Sequence, residues 1–299
     1  MHLRPSGNSP RHAARRSTRI AIAAVAVAVP AALVFAGIGQ ASDQKPSAGQ
    51  SAAAPHAAKP AAEGDLNDPH TKDIAMQLVS SAENSSLDWK AQFKYIEDID
   101  DGRGYTAGIV GFCSGTGDML DLVEYYTAQK PGNALAKYLP ALRKVDGTDS
   151  HEGLDPGFTG AWKTAAADRV FQQAQEHERD RVYFGPSVKR AKDDGLGALG
   201  QFAYYDAIVM HGPGDSPVSF GGIRATALAK AKTPAQGGNE RTYLNAFLDA
   251  RKAAMLTEEA HSDTSRVDTA QRVFLRNRNF ALKPPLTWKM YGESFTISN

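Results

Sequence analysis

Apolar residues recur three and four positions apart along most of this chain, and the first sustained run of that kind opens at Asp68. Asp68 followed by Pro69 is a helix start: a capping carboxylate, then a proline at the first helical position. Ile74, Ala75, Leu78, Val79 and Ala82 then share one face, so the spacing predicts a helix over 69–83. Between 93 and 110 the period shortens to brief extended runs around Asp100-Asp101-Gly102-Arg103-Gly104. These are the residue types of a tight turn, and they predict a small β-hairpin. Helical periodicity returns over 118–128, 134–145, 161–183, 196–210 and 240–260. The pattern predicts an α+β fold, mostly α-helical, with one small sheet.

Two of these helices carry charges where apolar residues belong. Asp206 interrupts the apolar run from Phe202 to Met210, and Arg251 continues the stripe Leu244, Phe247, Leu248, Met255. A buried charge must be paired. Asp206 is therefore expected to pair with Arg251, with Arg266 as a second candidate. Such a pair could merely join two helices, or it could fix the field around a reacting carboxylate.

The N-terminus changes the picture of what is folded. Residues 1–41 hold five arginines and no acid, and 20–35 is an alanine-rich apolar run of about 16 residues ending near Gly39-Gln40-Ala41. That is an export signal, too short and too interrupted for a membrane span, with cleavage expected after Ala41. Arg15-Arg16 leaves twin-arginine export open. Residues 42–64 are rich in Ala, Pro and Ser with little to bury, and are expected to be a disordered linker. One domain then occupies 65–299, and the mature protein is expected to be a secreted monomer without stable membrane association.

Five of the 34 Lys and Arg fall in the signal, leaving 29 against 33 Asp and Glu, a mature net charge of −4. A mildly acidic protein does not suit a nucleic-acid partner and is compatible with a cationic polymer. The single cysteine, Cys113, cannot form an internal disulfide and lies in an apolar stretch, so it reads as a small buried residue rather than a nucleophile. Gly102, Gly104 and Ala107 fit the spacing of a dinucleotide fingerprint. No apolar strand precedes them, and the acidic 97–101 segment would repel a pyrophosphate.

Two carboxylates stand out as chemistry. Glu83 closes the first helix beside its apolar stripe, where partial desolvation would favour a working acid, although an exposed helix-end glutamate is the plainer reading. Asp101 sits at the glycine-rich turn, with Arg103 beside it to hold it ionised unless that arginine is simply solvated. Different elements thus supply an acid and a base, as glycosidic cleavage requires.

Five stretches in order carry a resemblance: Ala82-Glu83-Asn84-Ser85-Ser86, Asp101-Gly102-Arg103-Gly104-Tyr105-Thr106, Gly111-Phe112-Cys113-Ser114-Gly115-Thr116-Gly117-Asp118, Gln201-Phe202-Ala203-Tyr204-Tyr205-Asp206, and His261 with Asp263-Thr264-Ser265-Arg266. Over 66–298 the chain resembles the chitosanases of glycoside hydrolase family 46. The resemblance implies a lysozyme-like two-lobed fold and an endo-acting hydrolase of chitosan that inverts the anomeric carbon. Glu83 would be the general acid, Asp101 the general base, and Thr106 would help hold the attacking water. Asp118 would bind an ammonium group of the substrate, although an acid at a helix start is also favoured by the helix dipole. Ser85, Tyr95, Arg103, Gly111, Tyr183 and His211 would line the cleft, with a capping role the alternative for His211. No cofactor or metal is implied. Where close relatives carry an acidic pair after the histidine, this chain has His261-Ser262-Asp263, which could weaken an outer ammonium site. Two competing functions are a lysozyme-like hydrolase of N-acetylated glycans, which would gain nothing from cleft acids, and a non-catalytic chitosan-binding protein, which would need no acid–base pair.

Overall fold

A computed structural model describes residues 62–258 and 262–299. The export signal, the linker over 42–61, His261 and the end of the 240–260 helix lie outside those residues. Contacts begin ahead of Asp65, since the Glu63 carbonyl accepts from the Ala198 amide at 2.8 Å.

Helix α1 (Pro69–Asn84) starts as its sequence requires, with the Asp68 carboxylate accepting from the Thr71 amide at 2.9 Å. It stops at Ser85, whose φ of 48° turns the chain out of the helix. A 3₁₀ turn (Trp89–Lys94) leads to a three-stranded antiparallel sheet, β1 (Ile96–Asp98), β2 (Tyr105–Ala107) and β3 (Phe112–Cys113), in the order β1-β2-β3. Glu97 pairs with Thr106, and Thr106 with Cys113.

Four helices complete this half: α2 (Asp118–Gln129), α3 (Leu139–Val145), α4 (Phe158–Ala165) and α5 (Arg169–Arg179). The helix expected from residue 134 begins as a 3₁₀ turn (Ala136–Tyr138), and α3 starts at Leu139 with Pro140 in its first turn, where a missing N–H costs no hydrogen bond. The pattern over 161–183 is broken into α4 and α5 by Asp168, which caps α5 by accepting from the Val170 amide at 3.1 Å.

A π-helical turn (Asp180–Phe184) carries α5 into α6 (Gly185–Asp193), so one near-continuous helix crosses from the first half to the second. The second half holds α7 (Ala198–His211), α8 (Phe220–Leu228), α9 (Glu240–Met255), a π-helical stretch (Arg266–Gln271) running into α10 (Arg272–Arg276), and a hairpin of β4 (Leu286–Met290) and β5 (Glu293–Ile297). This hairpin is a second sheet where one was expected. All 14 residues of α7 are buried, including Asp206 and His211.

Two hydrophobic cores result. One gathers Phe93, Phe112, Phe158, Trp162 and Phe171 beneath the three-stranded sheet. The other packs α1 and α6 to α10 around α7 and the β4–β5 hairpin. Trp89 contacts both. The architecture is the lysozyme-like, mostly helical α+β fold with two lobes. Among the described residues no helix is long and apolar enough to cross a membrane.

Candidate active site

Glu83 lies on the helical lobe at the last turn of α1, its side chain 21% exposed, and it accepts a hydrogen bond from Arg266 Nη2. Arg266 is buried and turns its other terminal nitrogen to Asp206, with Nη1 2.7 Å from Oδ1. The second oxygen of Asp206 accepts from Arg251 Nη1 at 2.6 Å and from Gln271 Nε2 at 2.7 Å. Two carboxylates thus meet two guanidiniums, and the buried charges cancel. Burial alone would raise the Asp206 pKa, but Arg251 and Arg266 outweigh it and hold it below the usual value. Burial would likewise lower Arg266, yet Glu83 and Asp206 raise it. Burial lowers Arg251, with the like charge of Arg266 acting the same way.

The π-helical stretch explains why both Arg266 and Gln271 reach Asp206. Five residues apart in an α-helix they would diverge by about 140°. The wider π turn brings them back toward one face.

Asp101 lies on the other lobe, in the turn between β1 and β2. Its Oδ1 accepts from the Arg103 amide at 3.1 Å, and its Oδ2 accepts from Arg103 Nε at 2.9 Å and from Nη2. Burial works to lower the Arg103 pKa, but Asp101 and its neighbours raise it. The turn needs glycine at 104, where φ is +68° and a Cβ would stand 2.4 Å from Ser114 Oγ. Thr106 is buried in β2, with Oγ1 3.5 Å from Cys113 Sγ, and burial pushes the Cys113 thiol up to about 11.

Asp118, first residue of α2, spends one oxygen on the local chain. Its Oδ1 accepts from Thr116 Oγ1 at 2.7 Å, the Cys113 amide at 2.9 Å and the Met119 amide at 3.0 Å. Desolvation outweighs these bonds and raises its pKa to about 6. Burial raises the Tyr183 phenol, and the charge of Asp118 adds to it. Tyr183 lies on the π turn between the lobes.

Residues 77–286 match the profile of glycosyl hydrolase family 46. The chain belongs to glycosyl hydrolase family 46. It is 66% identical over 288 residues to a chitosanase from a Streptomyces species, covering 96% of this chain and all of that one. A chitosanase co-crystallised with substrate superposes with a TM-score of 0.76 at 60% identity, over 79% of this chain and 100% of that one. A Gynuella sunshinyii family-46 chitosanase in complex with chitotetraose gives 0.70 at 35% identity, over 77% and 98%.

In this family-46 chain the site residues expected from sequence fall into three groups. Glu83, Asp206, Arg251 and Arg266 form one connected network. His211 touches that network: it is buried, and its Nε2 accepts from Arg251 Nε at 3.4 Å. Asp101, Arg103, Thr106, Gly111 and Asp118 cluster on the sheet lobe. A Cβ at Gly111 would stand 3.3 Å from the Thr106 methyl. Ser85 is an exposed helix cap, and the Tyr95 hydroxyl donates to Glu97 Oε2 at 3.4 Å.

Sequence reasoning missed Gln271 and Tyr291. Tyr291 stands at the tip of the β4–β5 hairpin with φ 50°, and its half-buried phenol is acted on by both Arg266 and Glu83. The alternation from Leu286 to Ile297 about Tyr291-Gly292 was the available signal. Among the described residues no His, Cys, Asp and Glu cluster could hold a metal ion.

Proposed function

We propose that the chain is a secreted, monomeric endo-hydrolase of chitosan, cleaving β-1,4 bonds between glucosamine units with inversion. One observation carries the reading: two carboxylates on different lobes, each with its own cationic support, Glu83 on Arg266 and Asp101 on Arg103. The chitosanases matched across the chain support the substrate, and the arginine-rich N-terminus supports export.

In this mechanism Glu83 carries the proton on Oε2, since Oε1 is occupied by Arg266, and transfers it to the leaving glycosidic oxygen. The carboxylate left behind is stabilised by the same guanidinium. Asp101, paired with Arg103, takes a proton from the water that attacks the opposite face of the sugar, and the buried Thr106 hydroxyl positions that water. Inversion needs roughly 6.5 to 9.5 Å between the two carboxyl groups, room enough for the water. Asp118 supplies negative charge to a glucosamine ammonium.

Reducing-end release from fully deacetylated chitosan and from chitin tests the substrate, with Glu83→Gln and Asp101→Asn alongside. Rapid release from chitosan only, lost in both variants, with the α-anomer as the first product by NMR, is expected. Release from chitin alone would move the activity to N-acetylated glycans. Tight chitosan binding without cleavage would mark a binding protein.

A further inference from the structure

The segment between α3 and α4, residues 146–157, packs against the hairpin that carries Asp101 and has no part in the mechanism above. At its centre His151 lies flat on Tyr105, the ring centroids 3.9 Å apart and the planes within 7°. Its Nε2 is 2.9 Å from Asp98 Oδ2, a close contact without the alignment of a hydrogen bond, and its Nδ1 is 3.6 Å from Asp155 Oδ2. The Tyr105 hydroxyl donates to the other oxygen of Asp155 at 2.7 Å. The segment is itself tied off locally, since the His151 carbonyl accepts from the Leu154 and Asp155 amides at 2.9 and 3.2 Å.

The position of these contacts along the hairpin is what matters. Asp98 ends β1, three residues before Asp101, and Tyr105 opens β2, four residues after it. One ring therefore touches both legs of the turn at its base. Among the described residues the hydrogen bonds of Asp101 come from Arg103, two residues away, and they shape the turn. Glu83, by contrast, is anchored through Arg266 to a fully buried network. An inverting pair works only if both carboxylates hold their separation.

We propose that His151 is a positioning residue for Asp101, bracketing the β1–β2 turn through its stack on Tyr105 and its contact with Asp98. The proposal rests on Asp101 as the general base. A ring that sets only the place of the base, and does not touch the sugar, acts on kcat and leaves KM alone. A displacement near 1 Å at a reacting group costs up to about 100-fold.

The test is steady-state kinetics on fully deacetylated chitosan for His151→Ala, Asp98→Asn, their double variant and Asp101→Asn. His151→Ala is expected to lower kcat roughly 10-fold or more with KM within about twofold. The double variant should lose little beyond the worse single, because both remove one bracket. An unchanged kcat, a rise in KM alone, or fully additive losses would overturn the proposal. Should His151→Ala not fold, Asp98→Asn, which keeps the size of the side chain, decides it by the same kcat and KM criterion. Full activity in Asp101→Asn would overturn the base assignment itself, whatever His151→Ala does. An inactive Asp101→Asn beside an unaffected His151→Ala would remove only the bracket.

Discussion

Asp206 is the residue on which the buried charge balance turns. Its two oxygens accept from Arg251, Arg266 and Gln271, and none of the four side chains is more than 2% exposed. Replacing it with asparagine would keep the shape and leave two buried guanidiniums facing Glu83 alone. Breaking such a pair costs about 3–5 kcal/mol, so Asp206→Asn is expected to lower the urea midpoint sharply at neutral pH. The sign of its pH dependence follows from its depressed pKa. The stability it contributes is complete above the unfolded value of about 4 and is lost as pH falls through the lower folded value. Urea titrations from pH 3 to 7 should therefore show a flatter acid limb in the variant; an identical limb would deny Asp206 that role. Asp206 and Arg251 were legible in the sequence because each breaks an apolar stripe, and a buried charge has few ways to be satisfied. Gln271 and Tyr291 were not, because each reaches the network through backbone geometry, a π turn and a hairpin tip, that periodicity does not encode.

At the scale of elements, the hairpin carrying Asp101 depends on close backbone approach. The Gly115 amide donates to the Arg103 carbonyl at 3.0 Å, and the Gly147 amide donates to the Gly115 carbonyl at 3.0 Å. A Cβ at Gly115 would fall 2.0 Å from the Thr148 carbonyl oxygen and 2.9 Å from that of Arg103, backbone atoms that cannot swing aside. Gly102, with φ +80°, has nothing within 4 Å of its would-be Cβ. Gly102→Ala should therefore cost only the left-handed strain, roughly 1 kcal/mol. Gly115→Ala should cost more, separate β2 from the 146–148 turn, and reduce kcat. Thermal melts and turnover on chitosan check both, and equal effects would mean that backbone contact is unimportant here. Helices α1, α2, α7 and α9 were readable from spacing, and α1 from its cap as well. The break at Asp168 was present in the sequence as a capping residue between two apolar runs. The β4–β5 hairpin was hidden by its length, five residues a strand, too short to compete with the long helical patterns before it.

The whole molecule holds its two carboxylates on separate cores, so the join between the cores bears on the chemistry as much as either core does. That join is small. Trp89 packs against both cores, donates from Nε1 to Asp73 Oδ1 at 3.0 Å, and lies under the buried Arg179 guanidinium at 5.5 Å. Arg179 ends α5, and the π turn that follows carries Asp180, which accepts from Lys72 of α1 at 2.6 Å. The chain has three tryptophans, and they report on different places: Trp162 in the sheet-lobe core, Trp288 in the helical-lobe core, Trp89 at the junction. Trp162→Phe and Trp288→Phe in turn leave one core silent, and their urea transitions should coincide if the lobes unfold as one unit. Adding Trp89→Ala removes the shared side chain and the cation–π contact without touching either core's centre. The two transitions should then separate, and turnover on chitosan should fall even where both lobes remain folded, because Glu83 and Asp101 are no longer referred to one frame. Coincident transitions in the Trp89→Ala background would place the coupling in the α5–α6 helix, and a kcat unchanged there would mean that substrate binding alone can set the separation of the two carboxylates.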